Sequence, residues 1–261
     1  MLKLLSISLL AFLAAGCGAS ASYPQMSLQR SLYPGMGGLD AKGIEAAFAE
    51  RIALTPPLSA GLMWLDERGP GPALSDYART GIVEHAVAML QQPPLTRVAV
   101  LPTTAAADRD GGTPSLDALR SAAAKFQYDV AFILQTGTDL ATAWNAFSVG
   151  YLGLVTAPLF PGTDLSVAAG AELCAVDVRT GIMLGCGVGR ARAQDRFVFP
   201  FSVEGHAETL RETVVCTAVG LAATDVLGQI AQRLAGAPPP GVTALPAAAV
   251  GKPRCQRRCS L

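Results

Sequence analysis

The stretch Asp129-Val130-Ala131-Phe132-Ile133-Leu134-Gln135 decides the fold of this 261-residue chain. Five consecutive apolar residues bounded by polar ones are typical of a strand buried on both faces of a sheet. An earlier run, Arg97-Val98-Ala99-Val100-Leu101-Pro102, has the same character. Between them Ser115 is a good N-cap, and a helix after it would bury its regularly spaced apolar residues: Leu116, Leu119, Ala123 and Phe126. Strand, helix and strand at this spacing predict a βαβ unit with parallel strands and a right-handed crossover.

Further elements surround this unit. Gly61–Asp66 reads as a strand, and Ser75 or Asp76 caps a helix that continues to Gln92, where Pro93-Pro94 ends it. A weaker helix is predicted for Leu39–Ile52, a strand for Phe147–Val155 and a loop for Pro158–Asp164.

The sequence of the second half of the chain predicts a long hairpin and a long helix. Leu165–Val178 and Ile182–Ala193 would pair across a three-residue loop with Gly181 in the left-handed region. A helix from about Glu204 to Leu234 repeats apolar residues at helical spacing. We therefore predict a single α/β (α+β) domain: a βαβ core, a mixed sheet extended by the antiparallel hairpin, and a long C-terminal helix that closes it.

The hairpin register places Cys174 opposite Cys186. Either a cross-strand disulfide or two small buried thiols would fit this position. Counting outward from the loop predicts a hydrogen-bonded pair, in which a disulfide would be strained. Cys255 and Cys259 could close a small loop in the tail, and Cys216 is expected to pack inertly in the last helix.

The N-terminus has the layout of a secretory signal. Lys3 precedes an apolar run that is too short to span a bilayer, and small residues follow. The segment Leu13-Ala14-Ala15-Gly16-Cys17 resembles a bacterial lipobox, in which the thiol receives diacylglycerol and acyl chains such as palmitate. An ordinary signal peptide with a chance cysteine is the alternative. Gly18, in place of aspartate, favours the periplasmic face of the outer membrane of a Gram-negative bacterium.

Composition along the chain predicts four segments. Residues 1–16 form the lipoprotein signal peptide, and residues 17–37 the acylated cysteine and a flexible tether. Residues 38–236 form the α/β domain, and residues 237–261 a disordered Pro/Ala-rich tail with a basic end.

The sequence offers little sign of catalysis. The formal net charge is zero, so nothing points to nucleic acid. Phosphate-loop and nucleophile-elbow motifs are absent from the sequence. Gly185-Cys186-Gly187-Val188-Gly189 lies inside a predicted strand, where a close-packed or bent backbone explains it better than a dinucleotide site.

The candidate acid, base and metal-binding residues are also few. His85 and His206 lack a second histidine or cysteine at metal-ligand spacing, and Asp129 and Asp139 flank one strand without an identifiable partner. We predict no catalytic residues, no metal and no cofactor, and therefore a protein that is not an enzyme.

Several short motifs resemble the rhombotarget lipoproteins, a group of proteobacterial lipoproteins of unknown biochemical role. Beside the lipobox they are Ser31-Leu32-Tyr33-Pro34, Tyr128-Asp129-Val130-Ala131, Tyr151-Leu152-Gly153-Leu154-Val155 and Ala171-Glu172-Leu173-Cys174-Ala175-Val176-Asp177. Members often carry a processed C-terminal sorting tail. Here the stretch 241–251 is short and interrupted by Pro246, so such processing is not expected. The order of elements is also similar to α/β domains of envelope lipoproteins related to curli secretion factors and to the N-terminal domain of the Tol propeller protein.

Three functions follow as hypotheses. The first is an outer-membrane lipoprotein that binds an envelope protein, or itself, through the exposed hairpin edge and the aromatic spot at Tyr33 and Pro34. The second is a periplasmic small-ligand module, with a site where Val100-Leu101-Pro102 and Gln135-Thr136-Gly137 would end their strands. The third is a hydrolase with an unrecognised site.

Overall fold

The structure is a computed structural model that describes residues 20–25, 28, 32, 52, 54–68, 73–102, 115–144, 163–197 and 203–235. Several predictions fall outside the described residues: Cys17, Tyr33, Pro34, Cys255, Cys259, the predicted strand 147–155 and most of the weak helix 39–52.

The described part of the chain contains five strands and three helices. In chain order they are β1 (Leu58–Arg68), α1 (Asp76–Leu90), β2 (Leu95–Val100), α2 (Leu116–Lys125), β3 (Val130–Trp144), β4 (Thr163–Asp177), β5 (Met183–Phe197) and α3 (Val203–Leu234). Ser75 and Ser115 cap α1 and α2 as expected. Each side chain accepts a hydrogen bond from the backbone N of the residue three positions later, Ala78 and Ala118 respectively.

The sheet has the order β2-β1-β3-β4-β5. β1 pairs in parallel with both β2 and β3, whereas β3–β4 and β4–β5 are antiparallel. The two strands of the predicted βαβ unit are thus parallel, but β1 lies between them. The predicted class, one α+β domain with a mixed sheet and a long C-terminal helix, is confirmed.

Alternating side chains of the central strands build two hydrophobic layers. Leu62, Phe132 and Leu173 belong to the cluster that contains the buried residues of α1 and α3. Met63 and Ile133, their neighbours in sequence, belong to the cluster that contains the buried residues of α2. The sheet is therefore covered on both faces, which explains the continuous apolar run at its centre.

β3 is longer than its apolar run, which is a correction to the predicted end at Gln135. The strand continues to Trp144 and pairs residue by residue with β4 along its whole length. Polar side chains in the extension are buried with partners: Thr136 Oγ1 accepts from Trp64 Nε1 at 3.2 Å, and Thr138 Oγ1 from Arg211 Nη2 at 2.9 Å. Backbone pairing, and not apolarity, sets where the strand ends.

Phe126 is another correction, because its side chain is 51% exposed and not part of the core. α2 ends at Lys125, and Phe126 is the C-cap, so the helical spacing that would have turned its ring inward no longer holds.

The glycine-rich stretch of β5 lets α3 approach the sheet. A Cβ on Gly187 would lie 2.1 Å from the carbonyl oxygen of Ala222, and one on Gly189 would lie 1.8 Å from that of Ala218. Backbone of the helix thus occupies the space that side chains would need. The sequence-based interpretation of the glycine-rich stretch as a close-packed strand therefore agrees with the structure.

α3 also has the length and composition of a membrane span. An apolar window within Gly205–Leu234 is half buried in the structure. Its buried residues, among them Val214, Ala218, Ala222 and Val226, pack in the main core cluster. Packing of α3 against the sheet and α1 accounts for the apolar character of this helix.

We predict that Gly189→Ala destabilises the domain by about 3 kcal/mol, because the new methyl group collides with backbone and not with a flexible side chain. Chemical denaturation measures this loss. Gly228→Ala is the matched control, since its Cβ meets nothing within 4 Å and alanine favours the helix by up to about 1 kcal/mol. Equal stability of the two variants would contradict the packing described here.

Candidate functional site

Residues 20–25, 28 and 32, here called the N-terminal strap, lie on the hairpin face opposite α3. Ser22 donates from its backbone N and its Oγ to Asp139 Oδ2 of β3, at 2.6 and 3.0 Å. On β5, Arg192 Nη2 donates to the carbonyl oxygen of Ala21 at 2.6 Å and also to Ser20 Oγ. The strap is therefore joined to two strands at its first residues.

Apolar and buried contacts hold the rest of the strap. Leu28 is fully buried, and its backbone N donates to Glu172 Oε2 of β4 at 2.8 Å. Leu32 is also buried, and both leucines join the cluster of α2. The Arg190 guanidinium lies 5.9 Å from the ring centre of Tyr23. Hydrogen bonds that a backbone amide donates to a buried carboxylate are charge-assisted and are among the stronger hydrogen bonds in proteins.

The strap lies within the segment expected to be a flexible tether. Asp139, which the sequence left without a partner, binds Ser22, and Asp129 accepts from the Ser59 N and Oγ at 3.0 and 2.8 Å. Sequence reasoning missed the strap and its binding residues Glu172 and Arg192. The one available signal was the spacing of Leu28 and Leu32, which puts both on one side of a helical turn.

An open groove of about 380 Å³ lies beside the first strap residue, at the end of the hairpin sheet away from the β4–β5 turn. An ion pair between Arg196 Nε and Asp164 Oδ1, at 2.7 Å, lies in the groove, and the two side chains are 57% and 40% exposed. Such exposed pairs contribute little stability. The groove is lined by Ser20, Ala143, Asp164, Leu165, Ser166, Gln194, Asp195 and Arg196.

The site proposed for a small ligand is not formed by strand ends. β2 stops at Val100, but Gln135–Gly137 lie in the middle of β3 and not at its end. Leu101 is buried and fills the space beside Gly61, and its N donates to the Leu62 carbonyl at 2.8 Å. The sheet therefore does not present the two segments side by side as a crevice.

Cys174 and Cys186 face each other across β4 and β5 and are joined by a disulfide, with Cα atoms 4.1 Å apart. The expected hydrogen-bonded pairing was wrong. Cys186 N and O point away from β4 and bind the side-chain amide of Gln229 of α3, at 3.1 and 2.9 Å. A register shift between Ala175 and Val176 explains the error, because it moves the count by one residue. The short Cα distance is typical of a non-hydrogen-bonded pair.

Titratable groups with shifted pKa values lie between α1 and α3. Burial lowers the pKa of His85, and a hydrogen bond with the Cys216 backbone acts in the opposite direction. Burial raises the pKa of Glu212, and repulsion from Glu208 adds to that rise. Within the described ranges, no three histidine, cysteine, aspartate or glutamate side chains could hold a metal ion together.

Comparison with known proteins gives structural matches only. No family model and no curated protein matches the sequence. Lipoprotein GNA1162 from Neisseria meningitidis is 17% identical, covering 67% of this chain and 99% of that one, with a TM-score of 0.32. The LpoB C-terminal domain from Salmonella enterica is 10% identical, covering 56% and 90%, with a TM-score of 0.29.

A third match is the PelC dodecamer from Paraburkholderia phytofirmans, which is 12% identical and covers 64% of this chain and 91% of that one, with a TM-score of 0.28. These proteins come from bacteria, and the first is named as a lipoprotein. At such TM-scores the likeness carries no argument about function, so the proposals below rest on the residues of this chain.

The Cys174–Cys186 disulfide closes a short loop of the chain. Reduction should lower the free energy of unfolding by about 3 kcal/mol, because a short loop in the unfolded chain is no longer closed. Thermal melting with and without dithiothreitol measures it. In the Cys174→Ala/Cys186→Ala variant the reductant should have no effect on Tm. An unchanged Tm of the reduced wild type would show that the bond contributes nothing.

The lowered pKa of His85 makes the stability of the domain depend on pH. Because the folded-state pKa of His85 lies below its ordinary value of 6.5, the unfolded chain takes up the proton first as pH falls. The contribution of His85 is therefore complete above pH 6.5 and is lost as pH falls through the folded-state pKa. We expect Tm of the wild type to drop more between pH 7 and pH 5 than Tm of His85→Gln. Glu212 shifts in the opposite direction but is present in both proteins, so it cancels in the comparison. Parallel Tm curves would contradict this assignment.

Proposed function

We propose that this chain is a lipoprotein of the rhombotarget type, anchored through Cys17 in the periplasmic face of the outer membrane, whose domain binds another envelope protein without catalysis. The observation that carries the anchor is the segment from Lys3 to Cys17, a short signal that ends on a cysteine. A single acyl chain gives only marginal membrane binding, and a triacylated cysteine provides the several chains that stable anchoring needs.

Four acidic side chains accept hydrogen bonds from backbone amides, and this use supports a binding role over an enzymatic one. Asp129 and Asp139 accept hydrogen bonds from the Ser59 and Ser22 amides, and Glu172 from that of Leu28. Asp177 Oδ1 accepts from the Arg179 amide in the β4–β5 turn at 2.9 Å. A carboxylate that holds backbone amides in place stabilises local structure, and a general base needs instead to reach a substrate proton.

The partner surface that we propose is the free edge of β5. Among the described residues this strand pairs only with β4, on one side. Gln229 binds the outer edge at Cys186, and Arg233 Nη1 donates to the Met183 carbonyl at 2.8 Å. Because backbone direction alternates along an antiparallel strand, the amide of Val188 points outward like that of Cys186. From Val188 onward the edge offers backbone groups to an extended segment of a partner.

The test is photo-crosslinking in living cells, with a photoreactive residue in place of Gln194. Val188→Pro removes an outward amide without touching the ladder to β4, and Val188→Thr keeps that amide. We expect one protein adduct in the wild type and in Val188→Thr, and its loss in Val188→Pro. Cys17→Ala should abolish acylation, as intact-protein mass spectrometry measures, and remove the adduct.

Two results would overturn parts of this proposal separately. An adduct that persists in Val188→Pro excludes strand addition at this edge. A wild-type protein whose intact mass shows no acyl groups on Cys17 excludes the lipid anchor.

A further inference from the structure

We infer that the N-terminal strap fixes the orientation of the domain, so that the groove end of the β3–β4–β5 sheet rests against lipid headgroups and the β4–β5 turn points away from the membrane. This inference rests on the proposed acylation of Cys17. A flexible tether of some twenty residues would permit any orientation, whereas the strap contacts begin almost at the anchor.

The first step is the reach of the chain. Ser20 Oγ is bound by Arg192, and only three peptide units separate Ser20 from Cys17. Fully extended, three residues span at most about 11 Å. The acyl chains of Cys17 must enter the bilayer within this distance of Ser20, so the surface around Ser20 must lie at the level of the headgroups.

The second step is the rigidity of the attachment. Arg192 of β5 binds Ser20 and Ala21, and its Nε lies 3.4 Å from Ser166 Oγ of β4. Asp139 of β3 binds Ser22. The first three strap residues are thus bonded to β3 and β5, and Ser166 of β4 holds the Arg192 side chain in place. A segment held at several separated points cannot swivel about one bond. The buried Leu28 and Leu32 hold the other end of the strap.

The third step is the chemistry of the surface that meets the membrane. The groove end carries the exposed Gln194, the Arg196–Asp164 ion pair and Asp195, in addition to Ser20. Mixed charges and amides of this kind match the phosphate and ammonium groups of zwitterionic headgroups, and they are not suited to insertion among acyl chains. The surface is therefore a peripheral contact with headgroups, and the acyl chains of Cys17 supply the affinity.

The fourth step is the length of the sheet. β5 has 15 residues, which corresponds to about 50 Å from the groove end to the turn. The turn residue Arg179, which is exposed, lies at the far end of this strand from Gln194. Under the inferred orientation these two positions differ in distance from the bilayer by most of that length.

The experiment uses the full-length protein, extracted from membranes with its lipid and reconstituted in phosphatidylethanolamine/phosphatidylglycerol vesicles. A fluorescent noncanonical residue replaces either Gln194 or Arg179, and the vesicles contain a headgroup-labelled acceptor. We expect energy transfer to be several-fold more efficient from position 194 than from position 179. Intact-protein mass spectrometry verifies acylation in the same preparation.

Two double variants test the cause. Arg192→Ala/Asp139→Ala removes the bonds to Ser20, Ala21 and Ser22 and should reduce the difference between the two positions at least twofold. Arg233→Ala/Asp225→Ala is the matched control, because it also removes one arginine and one aspartate, but from α3, where they bind Met183 and Gln229 and touch neither the strap nor the groove end. It should leave the difference unchanged. The wild-type comparison stands without either variant, so poor folding of one does not affect the test.

The outcomes separate this inference from the function on which it rests. A chain without acyl groups overturns the lipid anchor and the orientation together. An acylated wild-type protein with equal transfer from both positions, or stronger transfer from position 179, overturns the orientation alone. An unchanged difference in a folded Arg192→Ala/Asp139→Ala variant shows that the strap does not set the orientation.

Discussion

The close approach of α3 to the β4–β5 hairpin is the constraint on which the rest of the structure depends. It needs small residues on both sides: Gly187 and Gly189 on the strand, and Ala218 and Ala222 on the helix. A 32-residue helix that lies this close to the sheet covers one face of the hairpin and leaves the opposite face to other elements. It also brings Gln229 to the edge of β5, where the side-chain amide replaces a neighbouring strand at Cys186.

Among the described elements, α2 is the one helix that packs on the opposite face of the hairpin, and it lies near Ile133 and Val176. Farther along β3 and β5 that face becomes polar, with Asp139 and Arg192. An element that covers such a surface must satisfy carboxylates and a guanidinium as well as bury apolar area. The strap does both, because its backbone amides and carbonyls bind the charged groups and its two leucines enter the core.

The sequence predicted those features that follow from a short-range pattern. The apolar run 130–134, the helix caps at Ser75 and Ser115 and the apolar face of α3 were all recognisable. The end of β3 was not, because cross-strand pairing with β4 continues after the apolar pattern stops. A single register shift near the turn was enough to make Cys174 and Cys186 a non-hydrogen-bonded pair, where the sequence predicted a hydrogen-bonded one. The glycine motif was correctly attributed to packing, although its partner, the backbone of α3, lies beyond any local pattern.

The candidate site was harder to predict because its parts are distant in sequence. Asp139 and Ser22 are 117 residues apart, and Leu28 and Glu172 are 144 apart. A segment rich in Ser, Ala and Pro has the composition of a tether, and composition does not show which backbone amides find a carboxylate in the folded protein. The boundary between tether and domain is thus decided by tertiary hydrogen bonds.

This boundary changes what the proposed lipid anchor at Cys17 would do. With a long tether, acylation of Cys17 would only raise the local concentration of the domain at the membrane, and every surface would remain equally accessible to partners. With the strap bound, the proposed anchor would hold the sheet with its strands leading away from the bilayer, and the free edge of β5 would extend from the headgroup region toward the turn. A partner that adds a strand there would then also be oriented along the membrane normal. The strap bonds of Asp139 and Arg192 would in this way determine the geometry of assembly without touching the partner.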